Sequence, residues 1–280
     1  MNKEIIIDTI NICPFHCKYC GTDSNVSKNY LATDKIKTIL KLFNSEEVKI
    51  YLGGGYFFYH PDWKDILSYN KHVKANIVID SPLVLDTLNA IREFNLTEFN
   101  YKISLSLWGV NEVHDFLTNS KSYKNFSILH KELILQNEPL LLSFVLTKEM
   151  IKDIDNFIHF LDLIQSNTSI YFHRHMPCGR SENYDIPKIE SIKTFEKVIT
   201  DYAYNKNIIT VKFHHTLVTD KCLAWVNRFF INHNGDIWGC GWINTNERSK
   251  TNIYDSDFSF HDLDSGKYIT QCNCILKSTI

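Results

Sequence analysis

Glycine is scarce in this sequence, 10 of 280 residues against a usual share of about 7%. There is no low-complexity tract and no fixed-period repeat, so neither a linker-like nor a repeat architecture is expected. A cationic field is missing as well: Lys and Arg number 30 against 32 Asp and Glu, a formal charge of −2. Nothing there would hold a phosphate backbone, which excludes nucleic acid as an expected partner. No apolar run approaches the roughly 18 residues of a membrane span. The longest, around Pro139–Leu146, contains Ser143 and suits a buried strand. The opening MNKEIIIDTINIC lacks the layout of a signal peptide, because Glu4 and Asp8 interrupt its apolar stretch. These absences lead to the expectation of a soluble, cytoplasmic chain without a membrane partner.

What is present points to a site. The hydrophobic fraction of 44% and the aromatic fraction of 13% supply a substantial core. At roughly 100–200 residues per domain, the length suggests one large domain with a small appendage. Three of the scarce glycines are consecutive, Gly53-Gly54-Gly55. The 8 Cys are unevenly spaced, and in a reducing compartment they serve metal or redox chemistry sooner than a disulfide frame.

Apolar, β-branched runs alternate with amphipathic segments. Strands are expected at Glu4–Ile12, Val48–Leu52, Val73–Ile79, Phe99–Leu107, Leu140–Thr147 and Ser169–His175. Helices are expected at Thr33–Phe43, Asp62–Tyr69, Leu83–Glu93, Lys121–Gln136, Lys152–Ile164 and Lys188–Tyr204, the last introduced by Pro187. Successive strand–helix units imply an α/β fold with a parallel sheet. They end near residue 205, which divides the chain into domains 1–205 and 206–280. In the second part, Arg228–Asn232 and Asp236–Cys240 flank His233-Asn234-Gly235, a hairpin signal. A segment so poor in core residues needs a staple, and it holds four of the Cys.

Directly after the first expected strand, Cys13-Pro14-Phe15-His16-Cys17-Lys18-Tyr19-Cys20 gives the spacing CxxxCxxC. Three thiolates this close can converge on one centre from a loop. Structural zinc wants four protein ligands, whereas a [4Fe–4S] cluster has four irons. The triad therefore either recruits His16 for zinc or leaves one iron open.

The sequence at this point resembles the radical S-adenosylmethionine (radical SAM) enzymes. The resemblance implies a partial (β/α)6 barrel, with Cys13, Cys17 and Cys20 holding a [4Fe–4S] cluster whose open iron chelates S-adenosylmethionine. It places Tyr19 beside the adenine. The family's Gly-Gly-Glu-Pro motif corresponds, through Pro61-Asp62, to Gly54 and Gly55 with Tyr56 at the carboxylate position, a departure from the pattern. Ser106, in Ser104-Leu105-Ser106-Leu107-Trp108-Gly109, matches a position facing the ribose or methionyl end. His114 and Asp115 read as residues at the start of a helix. His173-Arg174-His175-Met176-Pro177-Cys178-Gly179-Arg180 resembles the Pro-x-Gly-Arg element of the subfamily with auxiliary clusters, and Arg174 is a cofactor-side cavity candidate by its position.

Cys222, Cys240, Cys272 and Cys274 resemble the SPASM/twitch extension, in its shorter twitch form with one auxiliary iron–sulfur cluster. The Cys-x-Cys ending departs from the commoner Cys-x-x-Cys, and a structural zinc on the same four residues is the alternative. Cys178 is then the Cys without a cluster assignment, a candidate hydrogen-atom donor or a small buried apolar residue.

The resemblance implies reductive cleavage of S-adenosylmethionine to a 5′-deoxyadenosyl radical and hydrogen-atom abstraction from a ribosomal peptide, leading to epimerisation or C–C/C–S cross-linking. A flavodoxin- or ferredoxin-like electron donor is implied as a partner. Cys13 stands near the start of the sequence, so no leader-peptide-binding domain is expected before the barrel. The alternative is therefore a small-molecule sugar or aminocyclitol epimerase or dehydrogenase. A third alternative is a non-catalytic metal-binding module.

Overall fold

The strands are two-faced, and that sets the architecture. In β1 (Lys3–Ile10) Ile5 and Ile7 are at most 1% exposed beneath the helices, while Glu4, Ile6 and Asp8 alternate with them onto a cavity. The same period of two recurs in β2 (Val48–Gly54), β4 (Tyr101–Leu107), β5 (Leu140–Leu146) and β6 (Ser169–Arg174). Ile50, Leu105, Phe144 and Phe172 face the helices; Tyr51, Ser106, Ser143 and Tyr171 face the cavity. Successive Cβ atoms of a strand point to opposite faces, so a polar inner row and an apolar outer row can share one strand.

The computed structural model describes residues 3–25, 27–94, 101–135, 140–164, 168–175, 178–206, 210–214, 228–239 and 251–260. Completing the strands are β3 (Ile77–Ser81), β7 (Thr210–His214), β8 (Arg228–Ile231), β9 (Asp236–Trp238) and β10 (Thr251–Asn252). Those described form one sheet in the order β10-β9-β8-β1-β2-β3-β4-β5-β6-β7. Pairing is parallel from β1 through β7, and β8 runs parallel to the free edge of β1. β9 and β10 are antiparallel additions. One cavity of about 300 Å³ touches β1 to β6 and β8 together. A flat sheet would hold β1 and β6 about 24 Å apart at ~4.8 Å per strand, so the sheet is curled into a partial barrel.

The helices α1 (Thr33–Leu42), α2 (Trp63–Val73), α3 (Asp86–Phe94), α4 (Asn111–Thr118), α5 (Phe126–Leu135), α6 (Lys148–Lys152), α7 (Ile154–Leu163) and α8 (Ile189–Lys206) follow their strands. Ile36, Ile39 and Leu40 of α1 show the i, i+3, i+4 spacing of a buried stripe. Among the described residues no helix is long and apolar enough to cross a membrane.

Three elements differ from expectation. Val73 closes α2 instead of opening β3, because Lys74 takes a left-handed conformation (φ 61°) and Asn70 bonds both backbone groups of Ala75. The helix expected over 152–164 begins earlier and divides at Asp153, with Thr147 capping its first part through the Met150 amide at 3.2 Å. His114 and Asp115 lie within α4. The hairpin turn forms on Gly235 (φ +85°), with the Asn232 side chain accepting from the Asn234 and Asp236 amides. The expected end of that hairpin at Cys240 lies outside the described residues, as do Cys222, Cys272 and Cys274.

Candidate functional site

The loop after β1 carries Cys13, Cys17 and Cys20, all on the wall of the cavity. Local bonds fix its path. The Asn25 side chain accepts from the Cys13 amide (2.8 Å) and donates to the Phe15 carbonyl (3.1 Å), and its own φ is +76°. Lys18 donates its amide to Leu117 of α4. Thr22 and Ser24 hydroxyls lie 3.5 and 3.6 Å from the Cys20 sulfur and reach the Gly54 carbonyl.

The glycine run supports the loop from below. Gly55 donates to Ile10 and Tyr56 to Ile12 through their amides. A Cβ on Gly55 would stand 2.1 Å from the Ile12 carbonyl oxygen, and one on Gly54 (φ +96°) 2.8 Å from the Asp8 Cα. These glycines are required by the close passage of two backbones.

The donor set fits an iron–sulfur cluster. The three thiols interact electrostatically with one another, and burial is the main cause that raises Cys13 to about 11 and Cys17 higher still. Loading metal therefore releases protons from Cys13 and Cys17. His16 is exposed, and among the described residues no three His, Cys, Asp or Glu side chains gather closely enough to hold a single metal ion. Three thiols with His16 exposed fall short of the four protein ligands of structural zinc and suit a polynuclear group with an open position.

Above the sheet, Tyr19 is 4% exposed and donates its hydroxyl to Glu149 at 3.1 Å. Its ring lies near-parallel to Trp108 (6.0 Å between centroids) and edge-on to His175 (4.6 Å). His175 is 1% exposed, neither ring nitrogen has a partner among the described residues, and burial pushes it down to about 4. It is a neutral imidazole at any ordinary pH. Gly54, Gly55, Ser106 and Arg174 share this wall.

One layer down, the strand register sets Asp8, Gly53, Asp80 and Ser104 side by side. Burial, and then the neighbouring Asp80 charge, raise Asp8 to about 8; burial raises Asp80 to about 6 against a hydrogen bond from Ser104. Lower still, Arg228 pairs with Glu4, its Nε 2.8 Å from the carboxylate.

Two expected residues are not on the cavity wall. The Tyr56 ring is fully buried among Phe58 and Tyr59, with its hydroxyl 3.0 Å from that of Thr87. Its amide donates to the Ile12 carbonyl, and its hydroxyl meets Thr87 of α3. Cys178 is 1% exposed within a tight turn, where its amide donates to the Ser181 hydroxyl at 3.0 Å. The turn is pressed against the cysteine loop, which takes Cys178 away from the cavity.

Sequence reasoning missed Asp8, Asp80, Trp108 and His175 as wall residues. For the carboxylates a signal existed: each is an acid inside an apolar strand, at the parity that faces inward. For His175 none did, since its isolation depends on what surrounds it.

A search of curated proteins finds no match. Among solved structures the chain resembles Streptococcus suis SuiB bound to S-adenosylmethionine, at 16% identity and a TM-score of 0.77, covering 92% of this chain and 64% of that one. SuiB bound to its precursor peptide SuiA gives 16% identity and 0.76, covering 95% and 66%. Native anSMEcpe with bound AdoMet and the Cp18Cys peptide gives 13% and 0.65, covering 93% and 79%. The chain thus spans less than two thirds of the SuiB length. The Radical SAM superfamily model matches residues 7–161, from β1 with its cysteine loop into α7, and the chain belongs to that superfamily.

Proposed function

We propose that this chain is a radical SAM enzyme acting on a ribosomally made peptide. The observation that carries the reading is the convergence of three thiols, Tyr19, the Gly54-Gly55 backbone, Ser106 and Arg174 on one cavity. When bound there, the [4Fe–4S] cluster and S-adenosylmethionine supply reductive cleavage and a 5′-deoxyadenosyl radical that removes a hydrogen atom from the substrate.

The protein's part is binding, orientation and exclusion of water. Tyr19, backed by Trp108 and held by Glu149, offers an aromatic face to the adenine, and the glycine backbone admits the methionyl end. The inward rows of the barrel form the substrate chamber, closed below by the Glu4–Arg228 pair. Tyr56 and Cys178 have no part in this.

A peptide substrate is supported by the likeness of fold to SuiB and anSMEcpe, both solved with peptides. In this reading residues 206–280 include a twitch-like segment in which Cys222, Cys240, Cys272 and Cys274 hold one auxiliary iron–sulfur cluster. A flavodoxin- or ferredoxin-like protein supplies the first electron.

Anaerobic reconstitution with iron and sulfide, followed by dithionite and S-adenosylmethionine, is expected to give 5′-deoxyadenosine. Cys13→Ala, Cys17→Ala and Cys20→Ala each abolish it; replacing the four later Cys lowers bound iron but spares some cleavage. No 5′-deoxyadenosine from the unaltered protein would remove the enzyme reading. A product from sugars or aminocyclitols, with none from candidate precursor peptides, would remove the peptide.

A further inference from the structure

Arg180 lies after β6, yet its side chain reaches back to the cysteine loop more than 150 residues away in sequence. Its Nε donates to the Cys17 carbonyl at 3.0 Å, and Nη1 donates to the Ser24 carbonyl at 2.6 Å and to Asp23 Oδ1 at 2.9 Å. The Arg180 amide donates to the Cys20 carbonyl at 3.0 Å. Gly179 (φ +58°) permits this approach, because a Cβ there would stand 2.6 Å from the carbonyl oxygens of both Cys20 and Gly21.

One nitrogen of the guanidinium is left over. Nη2 is buried and meets no acceptor among the described residues. A buried donor left unmet is unfavourable, and a fork otherwise held at three points cannot swing Nη2 to solvent. The backbone that the other nitrogens grip is that of two of the three cysteines, Cys17 through Nε and Cys20 through the Arg180 amide.

We propose that Arg180 is a positioning residue for the iron–sulfur cluster: Nη2 donates to a cluster sulfur, thiolate or sulfide, and raises the reduction potential of the cluster. A positive charge and an N–H donor beside the sulfurs both favour the more negative, reduced state. The same fork couples the segment after β6 to the cluster through the Cys17 and Ser24 carbonyls. This inference rests on the reading of Cys13, Cys17 and Cys20 as cluster ligands.

The test is an EPR-monitored potential titration of the reconstituted full chain, following the reduced signal that shifts on adding S-adenosylmethionine. At a fixed potential, Arg180→Gln is expected to lower the ratio of reduced to oxidised cluster at least tenfold, equivalent to 59 mV for a one-electron couple. Arg180→Lys, which keeps the charge without the fork, falls between. Pulsed EPR on unaltered protein labelled with ¹⁵N-arginine is expected to show a nitrogen coupling to the reduced cluster, whether or not the variants load iron. An Arg180 that only holds the loop would lower iron content but leave the ratio of the remaining cluster unmoved. That result, or no ¹⁵N coupling in the unaltered protein, overturns the proposal. Failure of the unaltered protein to bind iron and sulfide would instead sink the cluster reading itself.

Discussion

At the mouth of the barrel the cysteine loop has backbone polar groups met by Asn25 and Arg180, and its Thr22 and Ser24 hydroxyls are tied to the Gly54 carbonyl of β2. One layer down, Asp8 and Asp80 flank a bare glycine, and among the described residues neither is in an ion pair. The first region spends its polarity on its own shape. The second holds polarity in reserve, facing a cavity, at a cost in stability that grows as the carboxyls ionise.

Substitutions can break or sharpen this contrast. Gly55→Ala is expected to have the largest effect, because its Cβ would overlap the Ile12 carbonyl and force β1 and β2 apart. A loss of about 3 kcal/mol or more, with low soluble yield, is expected in thermal unfolding. Near-normal stability would mean that the loop is not rigidly seated. Gly179→Ala combines a left-handed backbone with contacts at 2.6 Å and is expected to cost about 2–3 kcal/mol, read as a lower unfolding temperature and faster proteolysis of the cysteine loop.

Asp8→Asn tests the other region and should stabilise. Burial raises Asp8 from 3.8 to about 8, so the folded state binds this proton more tightly than the unfolded chain. Its stability is therefore full below about pH 4 and declines as pH rises toward 8. The Asn variant lacks that decline, so its advantage is expected to grow steadily from pH 4.5 to pH 8. Parallel stability curves for the two proteins would show that Asp8 has a cation partner after all. The smallest effect belongs to Tyr56→Phe, which loses one hydrogen bond to Thr87, about 1 kcal/mol, with unchanged affinity for S-adenosylmethionine. A drop in that affinity would return Tyr56 to the site.

The alternation of apolar runs with amphipathic segments placed the first six strands, because a strand buried on one face by helices must read as Ile, Leu and Phe at every second position. Boundaries failed where single side chains decide them, as Asn70 does for the end of α2. The short α4 is anticipated only through His114 and Asp115 as residues at the start of a helix, and β7 is not anticipated, since five residues, Thr210–His214, carry little period. At the site, the three Cys and the paired glycines were legible because each answers a local demand, for thiols or for room. For Tyr56, aligning a motif fixes where the backbone runs and leaves open which way a side chain turns, here toward Thr87. Arg180 was quoted without a role, its partners lying in a loop more than 150 residues earlier.

The parallel pairing of β8 with β1 has a practical consequence. Residues Arg228–Ile231 cover the outer edge of β1 from Glu4 to Ile7. A truncated protein ending near residue 205 would leave that edge bare, a row of unpaired amides and carbonyls alongside Ile5, Ile6 and Ile7. Such edges recruit strands from other chains, so the shortened barrel is expected to aggregate, even though it would retain all three Cys of the loop after β1.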